Sequence, residues 1–164
     1  MSRQHIISVL LENESGALSC VAGLFSARAY NIESLTVAPT QDPTLSRLTL
    51  VTVGTEETIE QIKKQLNKLI DVVKLVDLSE SFSLERELAL LKVKKNDIIA
   101  KKIEDLSADS LALITDETDG FLVIELVGEK VWLDDFLASI KDEIIEVVRT
   151  GVIGLSRGER SLTL

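Results

Sequence analysis

The residues best suited to chemistry stand in the stretch ENESGAL, residues 12–18, which follows the apolar run HIISVLL. Where a strand leads into a helix, the first N–H groups of the helix lack partners within it, and the helix dipole adds partial positive charge. A carboxylate or a phosphate binds readily there. Gly16 has no side chain, so a ligand can approach the backbone, and the Asn13 amide suits a zwitterion because it both donates and accepts. The stretch favours such a site, although ESG before a helix is also typical of a simple cap.

Enzymes that use a nucleophile need a base beside it, and this chain offers one histidine and one cysteine. His5 lies in the first apolar run and is interpreted as a strand residue at the chain's edge rather than as a general base. Cys20 lies among the apolar residues that follow Gly16, which is typical of a small core or interface residue. No catalytic constellation is predicted.

Metal and phosphate sites are not predicted either. One cysteine and one histidine cannot form a zinc site, and the acidic residues do not fall at the spacing of a calcium loop. Neither GxxxxGK[ST] nor GxGxxG occurs, and the glycine-rich stretch RTGVIGLSRGER lacks the helix that a phosphate loop needs. Neighbouring acids such as Asp134 and Asp135 are expected on different sides of one helix, facing solvent. We therefore expect this chain to bind no cofactor or metal of its own.

Composition narrows the class of protein further. The chain has 164 residues, enough for one ordinary domain or two small ones, and a net charge of −9 without a basic stripe. Nucleic-acid binding by phosphate neutralisation is therefore not expected. No apolar stretch reaches the roughly 20 residues of a membrane helix, and the N-terminus does not resemble a signal peptide. A single cysteine cannot form an internal disulfide, which fits a cytoplasmic location.

Hydrophobic periodicity in the first half predicts the order strand, helix, strand, strand, helix, strand. Ser15 is the expected N-cap of the first helix, and Ile70 is placed on the apolar row of the second. The predicted elements have the sequences HIISVLLE, the helix that follows Ser15 and stops before Asn31, IESLTVAPT, SRLTLVTVG, the helix that starts at Glu56, and VVKLVDLSE.

The same order recurs in the second half, where the stretch DETDG is predicted as the turn between two strands. Repetition of this order predicts an α+β protein with two ferredoxin-like (βαββαβ) domains, each an antiparallel sheet with both helices on one face. The polar stretch LSESFSLERE marks the boundary, so the domains are placed at residues 1–78 and 79–164. The predicted elements of this half are ERELALLKVK, NDIIAKKIEDL, SLALIT, FLVIELVG, KVWLDDFLASIK and EIIEVVRTG.

Long stretches of the chain closely resemble one known family. These are SVLLENESGALSCVAGLFSARAYNIESLTVAPT, DPTLSRLTLVT and RTGVIGLSRGE, with FLASI adding support from the second half. They are similar to the small regulatory subunit of acetohydroxyacid synthase, also called acetolactate synthase. In that family an N-terminal ACT domain is followed by a second, ACT-like domain.

The resemblance implies a subunit without an active site of its own. Such a subunit joins a thiamine-diphosphate-dependent catalytic large subunit, which carries thiamine diphosphate, Mg²⁺ and FAD. The small subunit raises the activity of the large subunit and makes it sensitive to valine in branched-chain amino-acid biosynthesis. Two ACT domains of a homodimer pair side by side, with valine at their interface and some response to leucine or isoleucine expected. The residues implied are Asn13, Glu14, Ser15, Gly16, Ala17 and Leu18 of one subunit, with Asn31 and Ile32 of the partner subunit.

Two other functions fit the composition. A free-standing ACT-type amino-acid sensor that controls transcription would need a DNA-binding segment, and none is visible in the sequence. A purely structural interaction module is the second alternative, since a fold does not define a function.

Overall fold

The computed structural model describes residues 2–80, 82–104, 106 and 111–164. The chain forms two compact units, of which the first comprises Met1–Leu84 with Val152–Leu164 and the second comprises Glu85–Gly151. The first unit contains a four-stranded antiparallel sheet, and the second sheet has five strands, four of which follow the same split βαββαβ order, so the predicted α+β fold with two ferredoxin-like domains is confirmed. In the part of the chain described, no helix has the length and apolar character needed to cross a membrane.

The sheet of the first unit has the strand order β2-β3-β1-β4, and both helices cover one face of it. β1 and β3 are the inner strands because alternate residues of both are buried against the helices, among them Ile7, Val9 and Leu50. The core is completed by the buried residues Val21, Leu24 and Phe25 of α1 and Ile59, Ile62 and Leu66 of α2. The elements are β1 (Arg3–Glu12), α1 (Ala17–Ala27), β2 (Ser34–Pro39), β3 (Leu45–Gly54), α2 (Glu56–Leu66) and β4 (Val72–Asp77), followed by a 3₁₀ turn (Leu78–Glu80).

In the second unit the strand order is β6-β7-β5-β8, with its two helices again on one face. Leu91, Ile124 and Leu133 are fully buried in its core, together with Ile99 of the first helix of this unit. The elements are β5 (Ser83–Lys94), α3 (Asp97–Glu104), β6 (Leu111–Thr118), β7 (Phe121–Gly128), α4 (Lys130–Ser139), a 3₁₀ turn (Lys141–Glu143) and β8 (Ile144–Arg149).

Three local predictions are corrected by the structure. The turn predicted at DETDG is shorter in the structure, because β6 continues to Thr118. Only Asp119 and Gly120 lie between the strands, with φ of 52° and 79°. Two such residues with positive φ are typical of a tight hairpin turn. The helix α1 ends at Ala27, before the predicted stop near Asn31. Ile70 follows α2 and is 94% exposed rather than part of its apolar row.

The C-terminal tail (Val152–Leu164), which includes β9 (Ile153–Ser156), belongs to the first unit. The boundary placed at residues 78 and 79 assigned this tail to the second domain. Its buried residues Val152 and Leu162 instead pack with residues of β1 and β3. The second unit is therefore inserted between two segments of the first, although β9 itself pairs with β5 rather than with a strand of the first sheet.

Candidate functional site

The β1–α1 junction (residues 13–18) is held in place through its backbone and is open above Gly16. Gly16, not the predicted Ser15, is the N-cap residue of α1, and it has φ 99° and ψ −19° with no side-chain cap. Such positive φ favours glycine. A Cβ atom placed on Gly16 would meet no other group within 4 Å, so the backbone is open at this point.

Two N–H groups at the start of α1 are free to bind a ligand. The Ala17 N–H donates to the Glu14 carbonyl at 3.3 Å, and the Cys20 N–H donates to the Gly16 carbonyl at 2.9 Å. The N–H groups of Leu18 and Ser19 have no hydrogen-bond partner among the described residues. Since α1 has no acidic residue in its first turn, its partial positive charge is not neutralised locally. This end of the helix suits a carboxylate.

Side chains of the junction divide into an exposed set and a buried one. Residues 13–16 are exposed, and Leu18 is 38% exposed, so an aliphatic ligand could contact Leu18. Ala17 is buried in the core of the first unit, which leaves only its backbone close to the opening.

The Asn13 side chain anchors the junction to the β2–β3 turn (residues 40–44). Its Nδ2 donates to the Pro43 carbonyl at 2.9 Å, and its Oδ1 accepts from Ser46 Oγ at 3.0 Å. The turn itself is closed by Asp42, whose Oδ1 accepts from the Thr44 hydroxyl at 2.7 Å and from the Thr44 N–H at 2.9 Å. These two hydrogen bonds, the hydroxyl first, lower the pKa of Asp42. Asn13 therefore orients the junction as well as lining it.

Asn31 and Ile32 lie at the opposite end of the sheet from the β1–α1 junction. The Asn31 carbonyl accepts from Thr52 Oγ1 at 2.6 Å, near the end of β3. The junction instead adjoins the beginning of β3, where the Asn13 N–H donates to the Thr44 carbonyl at 2.7 Å. The six residues of β2 span the distance between the two ends, about 20 Å. A single subunit therefore does not bring the predicted site residues together.

β2 is an edge strand of its sheet, and the neighbouring helix α1 presents an uncharged outer face. Cys20 is exposed there, so of the two predicted positions, core or interface, the core is wrong. Small side chains dominate this face, which lets another backbone approach closely. Its exposed residues are Leu18, Ser19, Cys20, Ala22, Gly23, Ser26 and Ala27.

His5 forms a buried pair with Asp77 that the sequence did not reveal. The two side chains are 0% and 1% exposed, and His5 Nδ1 lies 3.1 Å from Asp77 Oδ2. His5 Nε2 accepts from Arg3 Nε at 3.2 Å, which makes Nδ1 the protonated nitrogen. Asp77 Oδ1 also accepts the Ser79 N–H at 2.9 Å. Because the imidazole is enclosed and both nitrogens are engaged, this pair is structural and is not a general base.

A cluster of ion pairs in the second unit connects the strands β5 and β8 to α4. Arg149 donates to both carboxylate oxygens of Glu87, at 2.8 and 2.7 Å, and to Asp134 at 2.6 Å. Asp134 also accepts from Lys130 at 2.7 Å. These hydrogen bonds, that of Glu87 first, raise the pKa of Arg149 above its ordinary value. Asp134 faces solvent with 41% of its side chain exposed, while it is also paired with Lys130 and Arg149, and Asp135 is exposed.

Within the described residues, no group of three or more His, Cys, Asp or Glu side chains is arranged to hold a metal ion. Two βαββαβ units in one chain, the first with an open helix start next to an edge strand, define an ACT-type protein. A family model described as the AHAS small subunit-like ACT domain matches residues 7–74, and a second, described as the small subunit of acetolactate synthase, matches residues 86–158. This chain belongs to the acetolactate synthase small-subunit family.

Relatives match over nearly the whole chain. The acetolactate synthase isozyme 3 small subunit of Escherichia coli (strain K12) is 51% identical over 159 residues, covering 96% of this chain and 98% of the relative. The acetolactate synthase small subunit of Haemophilus influenzae is 50% identical over 161 residues, with 97% and 99% covered. The crystal structure of the small subunit from Thermotoga maritima superposes with a TM-score of 0.85 at 34% identity, covering 96% of this chain and 99% of that one.

Proposed function

We propose that this chain is the regulatory subunit of an acetolactate synthase: it activates a catalytic large subunit and transmits inhibition by valine. Thiamine diphosphate, Mg²⁺ and FAD belong to the large subunit in this proposal, and the present chain contributes effector binding only. The names of the relatives support the pairing of a small with a large subunit. The proposed complex acts in the cytoplasm.

One geometric observation carries the proposal of a shared valine site. The β1–α1 junction and residues 31–32 lie at opposite ends of the edge strand β2. In a two-fold pair of antiparallel β2 strands, the beginning of one strand lies beside the end of the other. Asn31 and Ile32 of the partner subunit would then approach the junction of the first. Pairing of the two edges would also satisfy backbone groups that a lone edge leaves to water.

Each part of valine has a partner in this arrangement. The free N–H groups of Leu18 and Ser19 and the helix dipole bind the carboxylate, and Gly16 leaves room for it. The isopropyl group contacts Leu18, which is partly exposed. The exposed Glu14 and the Asn31 amide of the partner subunit are available to the ammonium group.

Valine that contacts both subunits favours one arrangement of the dimer over others. Inhibition requires a coupling free energy of only about 1–3 kcal/mol between valine binding and the active state of the large subunit. A pocket of this kind discriminates against one added or missing methylene by roughly 10–200-fold. Leucine and isoleucine are therefore expected to act as weaker effectors.

The substitution Gly16→Asp tests the site, because it places a carboxylate where that of valine would bind. We expect calorimetry to show no valine binding to the full-length variant, and the complex with the large subunit to be active but insensitive to valine. Gly120→Asp is the matched control, since Gly120 also has positive φ and open space but lies in the second unit. A Gly16→Asp variant that binds valine as the wild type does would place the site elsewhere.

A further inference from the structure

The C-terminal tail (Val152–Leu164) covers the sheet face of the first unit that faces away from α1 and α2. Side chains alternate across a strand, so Ile6 and Leu10 lie on the opposite face from Ile7 and Val9. Val152, only 2% exposed, packs on this face in a cluster with Ile6. The tail therefore supplies the second apolar layer of the first unit.

Leu162 makes the contact closest to the β1–α1 junction. It is 6% exposed and packs with Leu10 of β1 and Leu45 of β3, which are 3% and 6% exposed. Leu45 directly precedes Ser46, the residue that donates a hydrogen bond to Asn13. Leu45 thus contacts the tail on one face of the sheet, and its neighbour Ser46 contacts the junction on the other face.

Polar contacts hold the tail along its length. Arg47 donates through Nε to Ser8 Oγ at 2.9 Å and through a second nitrogen to the Gly154 carbonyl at 3.0 Å. Lys74 Nζ donates to the Thr163 carbonyl at 3.0 Å. Backbone hydrogen bonds hold the first part of the tail as well, since β9 pairs with β5 and the Arg157 N–H donates to the Phe82 carbonyl at 3.1 Å. Beyond β9, the end of the tail is attached by the apolar contacts of Leu162 and by the Lys74 hydrogen bond rather than by strand pairing.

We propose that the C-terminal tail is a strap whose seating on the sheet is thermodynamically coupled to effector binding at the β1–α1 junction. The proposal rests on the proposed function, since it assumes that valine binds there. Valine that orders Asn13 and Ser46 also fixes the start of β3, and this fixes the surface on which Leu162 rests. The second unit ends at Gly151 and the tail begins at the next residue, so the strap continues the chain of the second unit directly.

Coupling of this kind is reciprocal: the factor by which valine favours the seated strap equals the factor by which the seated strap favours valine. Loss of the Leu162 contact should therefore weaken valine binding, although Leu162 does not touch the junction. With typical coupling the loss in affinity is about 5–150-fold.

Two measurements on the full-length chain test the strap. In the wild type, hydrogen–deuterium exchange of peptides from residues 152–164 should slow when valine is added. In Leu162→Asp, calorimetry should show weaker valine binding, and the reconstituted complex should need proportionally more valine for half-inhibition. Leu164→Asp is the matched control, because Leu164 is 84% exposed and should behave as the wild type does. Leu162→Ala, a milder change, replaces Leu162→Asp if that variant melts at a much lower temperature.

The outcomes separate the strap from the proposed function. If the wild type binds valine and Gly16→Asp abolishes it, the valine site stands. Unchanged exchange of the tail with valine, together with wild-type affinity in the Leu162 variants, then overturns the strap alone. If the wild type binds no valine, the proposed function fails first and the strap fails with it.

Discussion

Ser46 Oγ donates a hydrogen bond to Asn13 Oδ1 at 3.0 Å, and this bond joins the beginning of β3 to the β1–α1 junction. Ser46 is 5% exposed, whereas Asn13 is exposed, so the pair connects the core of the first unit to its candidate ligand site. Because Asn13 Nδ2 is engaged by the Pro43 carbonyl, the orientation of the amide is defined at both ends.

Ser46→Ala should lower stability and weaken valine binding together. The variant removes one hydrogen bond and leaves Asn13 Oδ1 to water, which should cost about 0.5–1.5 kcal/mol in the free energy of unfolding. Urea unfolding measures this cost, and calorimetry measures the change in valine affinity. Ser26→Ala is the control for stability, since Ser26 is exposed on α1. A Ser46→Ala variant with normal valine affinity would show that Asn13 need not be oriented for binding.

Asn31→Ala should weaken valine binding but leave activation of the large subunit nearly intact. The Asn31 backbone carbonyl, which accepts from Thr52, is unchanged in this variant, so the entry to β2 should fold normally. Loss of a hydrogen bond to a charged ligand group costs about 1.5–3 kcal/mol, or roughly 10–150-fold in affinity. Asn67→Ala, at the exposed C-cap of α2, is the matched control. Calorimetry with valine decides the matter, and an unchanged affinity would exclude Asn31 from the site.

Elements whose signal is local were predicted well from the sequence. The helix α2 begins at Glu56, as its pattern indicated, because Thr55 accepts the Thr58 N–H and caps it. The inner strand β1 was recognised because the apolar run in its middle, residues 6–11, is interrupted only by Ser8. At α1 the sequence predicted Ser15 as the N-cap because a serine side chain commonly caps a helix. In the structure the N-cap is Gly16, which has positive φ and no capping side chain.

Features that join distant parts of the chain were not predictable. His5 pairs with a residue 72 positions away, and neither residue carries a pattern that identifies the other. The tail likewise looked like the end of the second half. Its burial on the first unit depends on Leu162 meeting Leu10 and Leu45, which only the tertiary structure brings together. For the candidate site, the open helix start was predictable. The distance of about 20 Å between it and Asn31 followed only from the sheet order.

Asp77→Ala should destabilise the first unit strongly, because it deprives one buried and one partly buried donor of their acceptor. These are His5 Nδ1 and the Ser79 N–H. Each buried donor left unsatisfied costs about 1–3 kcal/mol. The free energy of unfolding in urea measures the loss. Asp135→Ala, at an exposed position of α4, should change stability by less than about 0.5 kcal/mol. Equal stability of the two variants would contradict a structural role for the His5–Asp77 pair.

Asp134 should contribute stability at neutral pH that disappears in acid. Burial alone would raise the pKa of Asp134, but hydrogen bonds from Lys130 and Arg149 hold it below its ordinary value. A carboxylate with a lowered pKa in the folded state stabilises above its unfolded pKa, and the contribution is lost as pH falls through the folded value. The difference in unfolding free energy between wild type and Asp134→Asn should therefore be constant from pH 7 to about 5 and shrink below about pH 4. Asp135→Asn controls for the change in net charge, and a difference that grows in acid would contradict the assignment.

Val37→Pro should weaken the proposed dimer without disrupting the first unit. The Thr40 N–H donates to the Leu45 carbonyl, and β2 pairs residue by residue with β3, so alternation turns the N–H groups of Leu35 and Val37 away from β3. Proline at such an outward position of an edge strand removes only the donor offered to another chain.

The two-fold pair loses two donors in this variant, at about 1 kcal/mol each, which should raise the dimer dissociation constant roughly 30-fold. Sedimentation equilibrium measures this constant, with Val37→Thr as the control that keeps both the β-branched shape and the N–H. Because the proposed valine site includes residues of the partner subunit, Val37→Pro should also weaken valine binding at protein concentrations where the variant is monomeric. A variant that dimerises as tightly as the wild type would show that β2 is not the paired edge.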